Sequence, residues 1–263
     1  MSRGQVVVLS CASLFFLLLY FGFDTKTNEQ KGVEEKRLLS ATSTDINALL
    51  LGAKNSLGSS EGSEVLLAEA NLSAAKSESE KTEAYKKLSS AWYKINRFAI
   101  AGYYAGQVAE MEGTDEAWSI AGAIYNRGMN YESEEKIKDY CTTRAIEAFE
   151  NAISLNPGNI DHQVNLAVCY AENPPQDQPM KGVMMLLDVN KKNPENVAAL
   201  TSLGRFGIQT GQFEKAVGRL EKALQLEPNN IKVNCLLAQA YQGFGQLDKA
   251  KTFQDICDRF RQK

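Results

Sequence analysis

The sequence predicts an all-α fold, a superhelix of stacked helical hairpins. The first observation is the 34-residue stretch 197–230, where apolar residues recur at three- and four-residue steps on both sides of a turn at Gly211. The second is that its ending recurs, since Pro157, Pro194 and Pro228 are 37 and 34 residues apart. The third is that no segment shows the period-two alternation of strands. A repeat of this period indicates helix pairs that each bury too little apolar surface alone.

Composition narrows the possible functions. The 263 residues are enough for one elongated domain or two small ones, and a net charge of −3 argues against a nucleic-acid partner. The sequence has one histidine, His162, and neither a C-x-x-C nor an H-x-x-x-H pair, so we expect no metal site and a surface position for His162. Phosphate-binding loops and nucleophile elbows are also absent, so we expect no cofactor, no small-molecule substrate and no enzymatic activity.

Residues 4–23 contain no charged residue. A helix of that length spans about 30 Å, the thickness of a bilayer core. We therefore predict a transmembrane helix that acts as a signal anchor. A cleaved signal peptide and a lipoprotein with Cys11 as its modified residue remain alternatives, although small residues that would mark a cleavage site do not follow the apolar run.

The polar residues 24–44 show no periodicity and predict a tether. Positive charges follow the span as well as precede it, so charge counting does not fix the orientation. We favour export of the C-terminal part, because a short N-terminus before a single span is typical of a signal anchor. The five cysteines show no disulfide-framework spacing, so we expect free thiols, which are more typical of a reducing compartment.

Residues 45–80 predict a helical N-terminal cap. A first helix over 45–57 follows a capping residue at Thr44 or Asp45, and a Ser/Gly loop over 58–62 leads to a second helix over 64–76. In the second helix we expect the apolar face to contain Leu66, Leu67, Ala70 and Ala74.

Five helix pairs are predicted over residues 82–263. The fourth is the most regular and sets the register of the others. Two units carry extra residues: residues 126–143 lengthen or break one hairpin, and residues 172–179 form a stiff polar loop. The predicted units are 82–114, 115–159, 160–196, 197–230 and 231–263.

This pattern resembles the tetratricopeptide repeat family, whose 34-residue units place small residues where helices approach closest. Unit 197–230 departs from the family at Gly207, where an aromatic residue is usual. We expect a neighbouring side chain to fill that space, with a small hollow as the alternative. The matching residues of the unit are Leu200, Leu203, Gly204, Gly211, Ala216, Leu220, Ala223 and Pro228.

The resemblance implies a protein-binding role, with the partner held against the concave face formed by the first helices of the units. The Lys and Asn set that clamps chaperone tails in one subclass is incomplete here, since Ser90 stands where the Asn is needed after Lys86. The residues implied for protein binding are Lys86, Ser119, Asn126, Val164, Val168, Thr201, Arg205, Lys232 and Gln239.

Two functions of this class are open from the sequence. The first is a membrane-anchored scaffold that displays the solenoid to a protein or peptide partner. The alternative, which the resemblance also implies, is an assembly factor that holds an apoprotein tail, such as in cytochrome c maturation. No motif in the sequence selects that second task.

Overall fold

The computed structural model describes residues 45–261, so the predicted span 4–23 and the whole tether 24–44 lie outside the described residues. Within residues 45–261 no helix is both long enough and apolar enough to cross a bilayer. This part of the chain is helical throughout and has no strand, which confirms the predicted all-α class. Its helices are α1 (Ile46–Asn55), α2 (Ser59–Ala74), α3 (Glu78–Lys94), α4 (Phe98–Glu112), α5 (Asp115–Tyr131), α6 (Glu135–Leu155), α7 (Ile160–Glu172), α8 (Lys181–Lys192), α9 (Val197–Gln209), α10 (Phe213–Leu226), α11 (Ile231–Gly243) and α12 (Leu247–Arg261).

From α3 onward the helices pack as successive pairs, α3 with α4 through α11 with α12. The second helix of each pair also packs against the first helix of the next pair. The first helices α5, α7, α9 and α11 contact one another in sequence. Those helices therefore share one face of the array, and that face is where a common binding groove can form.

The junctions between the later pairs repeat one local device. A proline follows the second helix because it cannot continue the helical hydrogen bonds, and an asparagine two residues later caps the next helix. The side-chain oxygens of Asn159, Asn196 and Asn230 accept hydrogen bonds from the backbone N–H groups of Asp161, Ala199 and Val233 at 3.1, 2.8 and 3.1 Å. The recurring prolines thus mark where the second helices end, and the asparagines mark where the next first helices begin.

Left-handed residues make the turns inside several pairs. Gly211 and Gly245 have φ values of 72° and 82°, as predicted for Gly211. The pair α3–α4 has no glycine in its turn, and Asn96 takes the left-handed position instead, with φ 59°. Asparagine tolerates this region better than other residues with a side chain, so the turn forms without the expected glycine.

The extra residues 126–143 lengthen the hairpin and do not break it. Helix α5 continues to Tyr131 and α6 begins at Glu135, which gives helices of 17 and 21 residues. Tyr140 and Cys141 of the added turns are buried in a core cluster. Ile46 and Leu49 of α1 pack against that same cluster, so the extension also supports the first helix of the cap.

The N-terminal cap differs from its prediction in the second helix. Asp45 caps α1 as expected, but α2 begins at Ser59, so the predicted loop 58–62 is mostly helical. Val65 is buried, whereas Leu66 and Leu67 are 64% and 65% exposed. The predicted apolar face was wrong because four consecutive apolar residues, 65–68, do not define the phase of a helix.

The last pair contains a disulfide that the sequence did not predict. Cys235 of α11 and Cys257 of α12 are bonded, with their Cα atoms 5.1 Å apart. The expectation that all cysteines are free was therefore wrong for this pair. Helix packing, and not sequence spacing, brings the two residues together, since 22 residues separate them. Cys141 and Cys169 are free and buried.

Candidate functional site

A candidate site is a groove on the shared face of the first helices. It has a volume of about 780 Å³ and is open to solvent along its length. Asn126 of α5, Val168 of α7, Arg205 of α9 and Lys232 of α11 all line it. The groove therefore extends across four successive helix pairs, which is the length scale of an extended peptide.

A polar network fixes the floor of this groove. Glu172, the last residue of α7, accepts a hydrogen bond from the Asn130 side chain of α5 at 2.9 Å. Its other carboxylate oxygen pairs with Arg205 of α9 at 2.6 Å. Three consecutive first helices are thus connected by one carboxylate. Because Glu172 is largely buried and doubly bonded, it orients Arg205 and leaves little free negative charge of its own.

The rim of the groove carries more carboxylates than cations. Apart from the Glu172–Arg205 pair, the groove is lined by three carboxylates and one cation. The carboxylates belong to Asp161, Glu195 and Glu227, and the cation is Lys232. Asp161 accepts a hydrogen bond from Asn196, and Glu227 accepts one from Asn230. The surface offered to a partner is therefore polar and mildly acidic.

The structure brings six of the nine predicted binding residues together in this groove: Asn126, Val164, Val168, Thr201, Arg205 and Lys232. Val164 and Thr201 are only 2% and 6% exposed, so they support the floor from beneath. Among the other three, Lys86 pairs with Glu112 of α4 at 2.7 Å. Ser119 of α5 is half-buried and Gln239 of α11 is exposed, and neither lines the groove.

Sequence reasoning missed Glu172 and Asn130 as site residues. Glu172 stands at the start of the stretch that was predicted as a loop, and Asn130 lies within the predicted insertion. In the structure both residues belong to helices that run further than expected. The available signal in the sequence was Arg205, a cation at a predicted groove position. Its charge would need a carboxylate from a neighbouring unit as a partner.

His162 is buried, and the predicted surface position was wrong. Its ring is buried, and its Nε2 lies 2.8 Å from Oδ2 of Asp115, the first residue of α5. The hydrogen bond with His162 is the main cause that lowers the pKa of Asp115, to about 2. This contact joins two successive units. It is not part of a metal site, because the described residues hold no group of three or more potential metal ligands.

The two free cysteines lack the character of nucleophiles. Burial raises the pKa of the Cys141 thiol to about 12, and it raises the pKa of Cys169 further above the ordinary value. A thiol of this kind remains protonated at neutral pH, and the thiolate is the reactive form. Both side chains therefore act as packing groups in the core of α6 and α7.

Comparison with known proteins agrees with this architecture. A tetratricopeptide repeat family model matches residues 208–254. Residues 208–254 are therefore similar to tetratricopeptide repeats. This confirms the predicted resemblance for that part of the chain. No curated protein is significantly similar to it in sequence.

Solved structures are similar to this chain over a longer part of its length. The thermophilic TPR protein TTC0263 of Thermus thermophilus has 17% identity and a TM-score of 0.51, over 67% of this chain and 89% of that one. A MamA crystal structure has 18% identity and a TM-score of 0.43, over 68% of this chain and 91% of that one. The structure of MamA AMB-1 has 21% identity and a TM-score of 0.39, over 69% and 92%. At 17% identity the likeness to TTC0263 shows the fold alone.

Proposed function

We propose that this protein is a non-enzymatic, membrane-anchored scaffold that binds a segment of a partner protein in the groove of its first helices. The observation that carries the proposal is the groove itself, which extends from Asn126 to Lys232 with a floor fixed by Glu172 and Arg205. A preordered floor lowers the cost of binding, because the side chains that meet the partner are already held in place.

The charge of the rim indicates the chemistry of the partner. Three carboxylates face one cation outside the internal pair, so a segment with basic residues and few acidic ones is favoured. Side chains on an extended segment alternate in direction, and the backbone supplies hydrogen bonds for the asparagines of the groove. The partner is therefore expected to be a basic, extended peptide segment.

Substitution of exposed rim residues tests this binding face without disturbing the floor. We expect Ala198→Arg and Lys232→Glu, tested separately on the full chain, to change the set of proteins cross-linked to it in membranes. Gln225→Arg is the matched control, because Gln225 is also exposed but lies on α10, outside the groove. A cross-linked set that stays the same in both groove variants and in the control would count against the proposal.

Membrane anchoring and export rest on two observations. Residues 4–23 are uncharged over a bilayer length. The bond between Cys235 and Cys257 further supports an exported helical array, because disulfides form and persist in oxidising compartments. This favours the exported orientation over the reducing compartment that free thiols would indicate.

A reporter fusion tests the orientation. Alkaline phosphatase fused after Lys263 is expected to be active, since that enzyme requires an oxidising compartment, and a cytosolic reporter at the same position is expected to be inactive. Deleting residues 4–23 serves as the control and should reverse both results. An inactive phosphatase together with an active cytosolic reporter on the intact chain would overturn the proposed orientation.

A further inference from the structure

Two repeat units share a contact that α9 lacks. In α7 the ring of Tyr170 lies under the ammonium group of Lys181, 3.6 Å from the ring centroid. The Tyr170 hydroxyl donates a hydrogen bond to Glu150 of the preceding second helix, 3.5 Å away and 20 residues earlier in the chain. The tyrosine thus fills the space between two successive second helices, with a cation on one side and a carboxylate on the other.

The last unit repeats this arrangement. Lys249 lies 4.9 Å from the ring centroid of Tyr241, and the Tyr241 hydroxyl donates to Glu221, again 20 residues earlier. Phe253 stacks on the same ring at 5.6 Å. Burial, together with the hydrogen bond to Glu221, raises the pKa of Tyr241 to about 12. The contact therefore recurs in two units. The carboxylate stands 20 residues before the tyrosine in both, and the lysine stands 11 residues after Tyr170 and 8 residues after Tyr241, because the loop after α7 carries three extra residues.

In the unit formed by α9 and α10 the lysine of this contact is present, but the aromatic ring and the carboxylate are missing. Gly207 stands where the tyrosine is expected, and the residue 20 positions before it is Leu187. The lysine equivalent to Lys249 is Lys215, 34 residues earlier, and its hydrogen bond to Gln212 is a long one of 3.4 Å. The Cβ of Ala216 would lie 3.1 Å from a Cβ at position 207, so α9 and α10 pack closely at the glycine itself. Next to the Gly207 backbone the space is filled by Ala216, as expected of a neighbouring side chain, and the alternative of a hollow does not apply there. The group that is missing is the aromatic ring beyond the Cβ position.

The residues of α8 and α10 that correspond to the partners of Tyr170 and Tyr241 also lack a carboxylate and an aromatic ring. Met184 and Leu187 share one face of α8 and are 65% and 42% exposed. Arg219 of α10 occupies the place that Phe253 has in the last unit. Its guanidinium donates a long hydrogen bond, 3.4 Å, to the Leu203 carbonyl. Partial burial lowers the pKa of Arg219, and no carboxylate among the described residues compensates for it.

We propose that these four side chains, Met184, Leu187, Lys215 and Arg219, form a second binding site, the α8/α10 notch, for a partner segment that presents an aromatic side chain next to a carboxylate. The aromatic ring takes the position that Tyr170 and Tyr241 hold in their own units, between Lys215 and the apolar face of α8. The carboxylate pairs with Arg219. Aromatic side chains and buried arginines are the groups that contribute most to binding at protein interfaces.

Short peptides test the chemistry directly on the full chain. Carbon-13 labelling of the methionine methyl groups gives a signal for Met184, which the Met184→Leu variant identifies by its loss. The probe is acetyl-Glu-Glu-Phe-Glu-Glu-amide, and we expect it to shift that signal in a saturable way. Two matched probes, with the Phe replaced by Ala or with every Glu replaced by Lys, are expected to bind about tenfold more weakly or not at all. An unmoved Met184 signal, or equal shifts with all three probes, would overturn the proposal.

Rebuilding the repeat contact tests the location. The variant Leu187→Glu, at an exposed position, supplies the missing carboxylate from the chain itself, so it should abolish binding of the acidic probe. Lys215→Glu is a second, exposed substitution that should weaken binding by about tenfold without affecting the core. Retained binding in both variants would show that the notch is not the site. Ala198→Arg in the groove of the first helices should leave probe binding unchanged, which separates this test from that of the proposed function.

Discussion

The two ends of the helical array are closed by different devices. At the N-terminal end, α1 packs on α4 and α2 packs on α3, and the fully buried Trp92 joins their apolar core. Ion pairs between Lys54 and Glu69, and between Lys94 and Glu64, add to this packing. At the C-terminal end no further helix follows α12 within residues 45–261, and a disulfide attaches α12 to α11. Within residues 45–261 the first and last helix pairs have a neighbouring pair on one side only. The comparison shows added apolar surface at one end of this range and a covalent bond at the other.

The N-terminal device should be the more sensitive to a single substitution. Trp92→Ala is expected to lower the free energy of unfolding by about 3–5 kcal/mol, because it leaves a cavity in the core beneath the cap. Trp92→Phe is the matched control and should cost much less, since the indole Nε1 has no hydrogen-bond partner among the described residues. Urea unfolding of the full chain measures both. Equal losses in the two variants would mean that ring volume does not hold this end together.

Removing the disulfide should weaken the opposite end. Cys235→Ser with Cys257→Ser is expected to cost about 3 kcal/mol, from the chain entropy of a loop with a 22-residue separation. Amide hydrogen exchange should become faster in α12 and remain unchanged in α1 and α2. Reductant should reproduce the effect on the native chain and have none on the double variant. Uniformly faster exchange along the chain would contradict a device that acts locally.

A contact between two internal units, the pair of Asp115 and His162, should respond to pH. The folded-state pKa of Asp115 is lowered to about 2, so its contribution is complete above the unfolded value of about 4 and is lost as the pH falls through 2. Asp115→Asn is therefore expected to be less stable than the native chain at pH 7, with a difference that narrows below about pH 4. Urea unfolding at several pH values measures this, and a difference that stays constant down to pH 2 would rule out the linkage.

The smallest effect should come from the exposed leucines of α2. Leu66→Ser and Leu67→Ser are expected to change the free energy of unfolding by less than about 0.5 kcal/mol, because both side chains already face solvent. Val65→Ala, one position away and buried, should cost clearly more. Thermal unfolding of the three variants decides the phase of α2, and a large loss from Leu67→Ser alone would favour the face that the sequence suggests.

The regular part of the fold could be predicted because its signals are local. The prolines that end the second helices and Gly211 in the turn act within a few residues of their own position. The disulfide could not be predicted, because Cys235 and Cys257 meet only when α11 and α12 dock.

Some residues of the candidate site could likewise be predicted from the sequence, and others could not. The resemblance to the repeat family implied that Arg205 and Val168 share the concave face, and both line the groove. Glu172 and Asn130 were missed because their roles depend on the alignment of three units with one another. The phase of α2 was missed because consecutive apolar residues at 65–68 carry no periodic information.

The asparagine caps have a consequence for how such a chain can change in length. Asn196 and Asn230 begin successive helix pairs with the same hydrogen bond to the backbone, and the 34 residues 197–230 start after one of these caps and finish on the next. Tandem duplication of this stretch would therefore create no new kind of junction. The cassette carries its own start and stop signals, so the array can grow by whole units while each boundary retains its local chemistry.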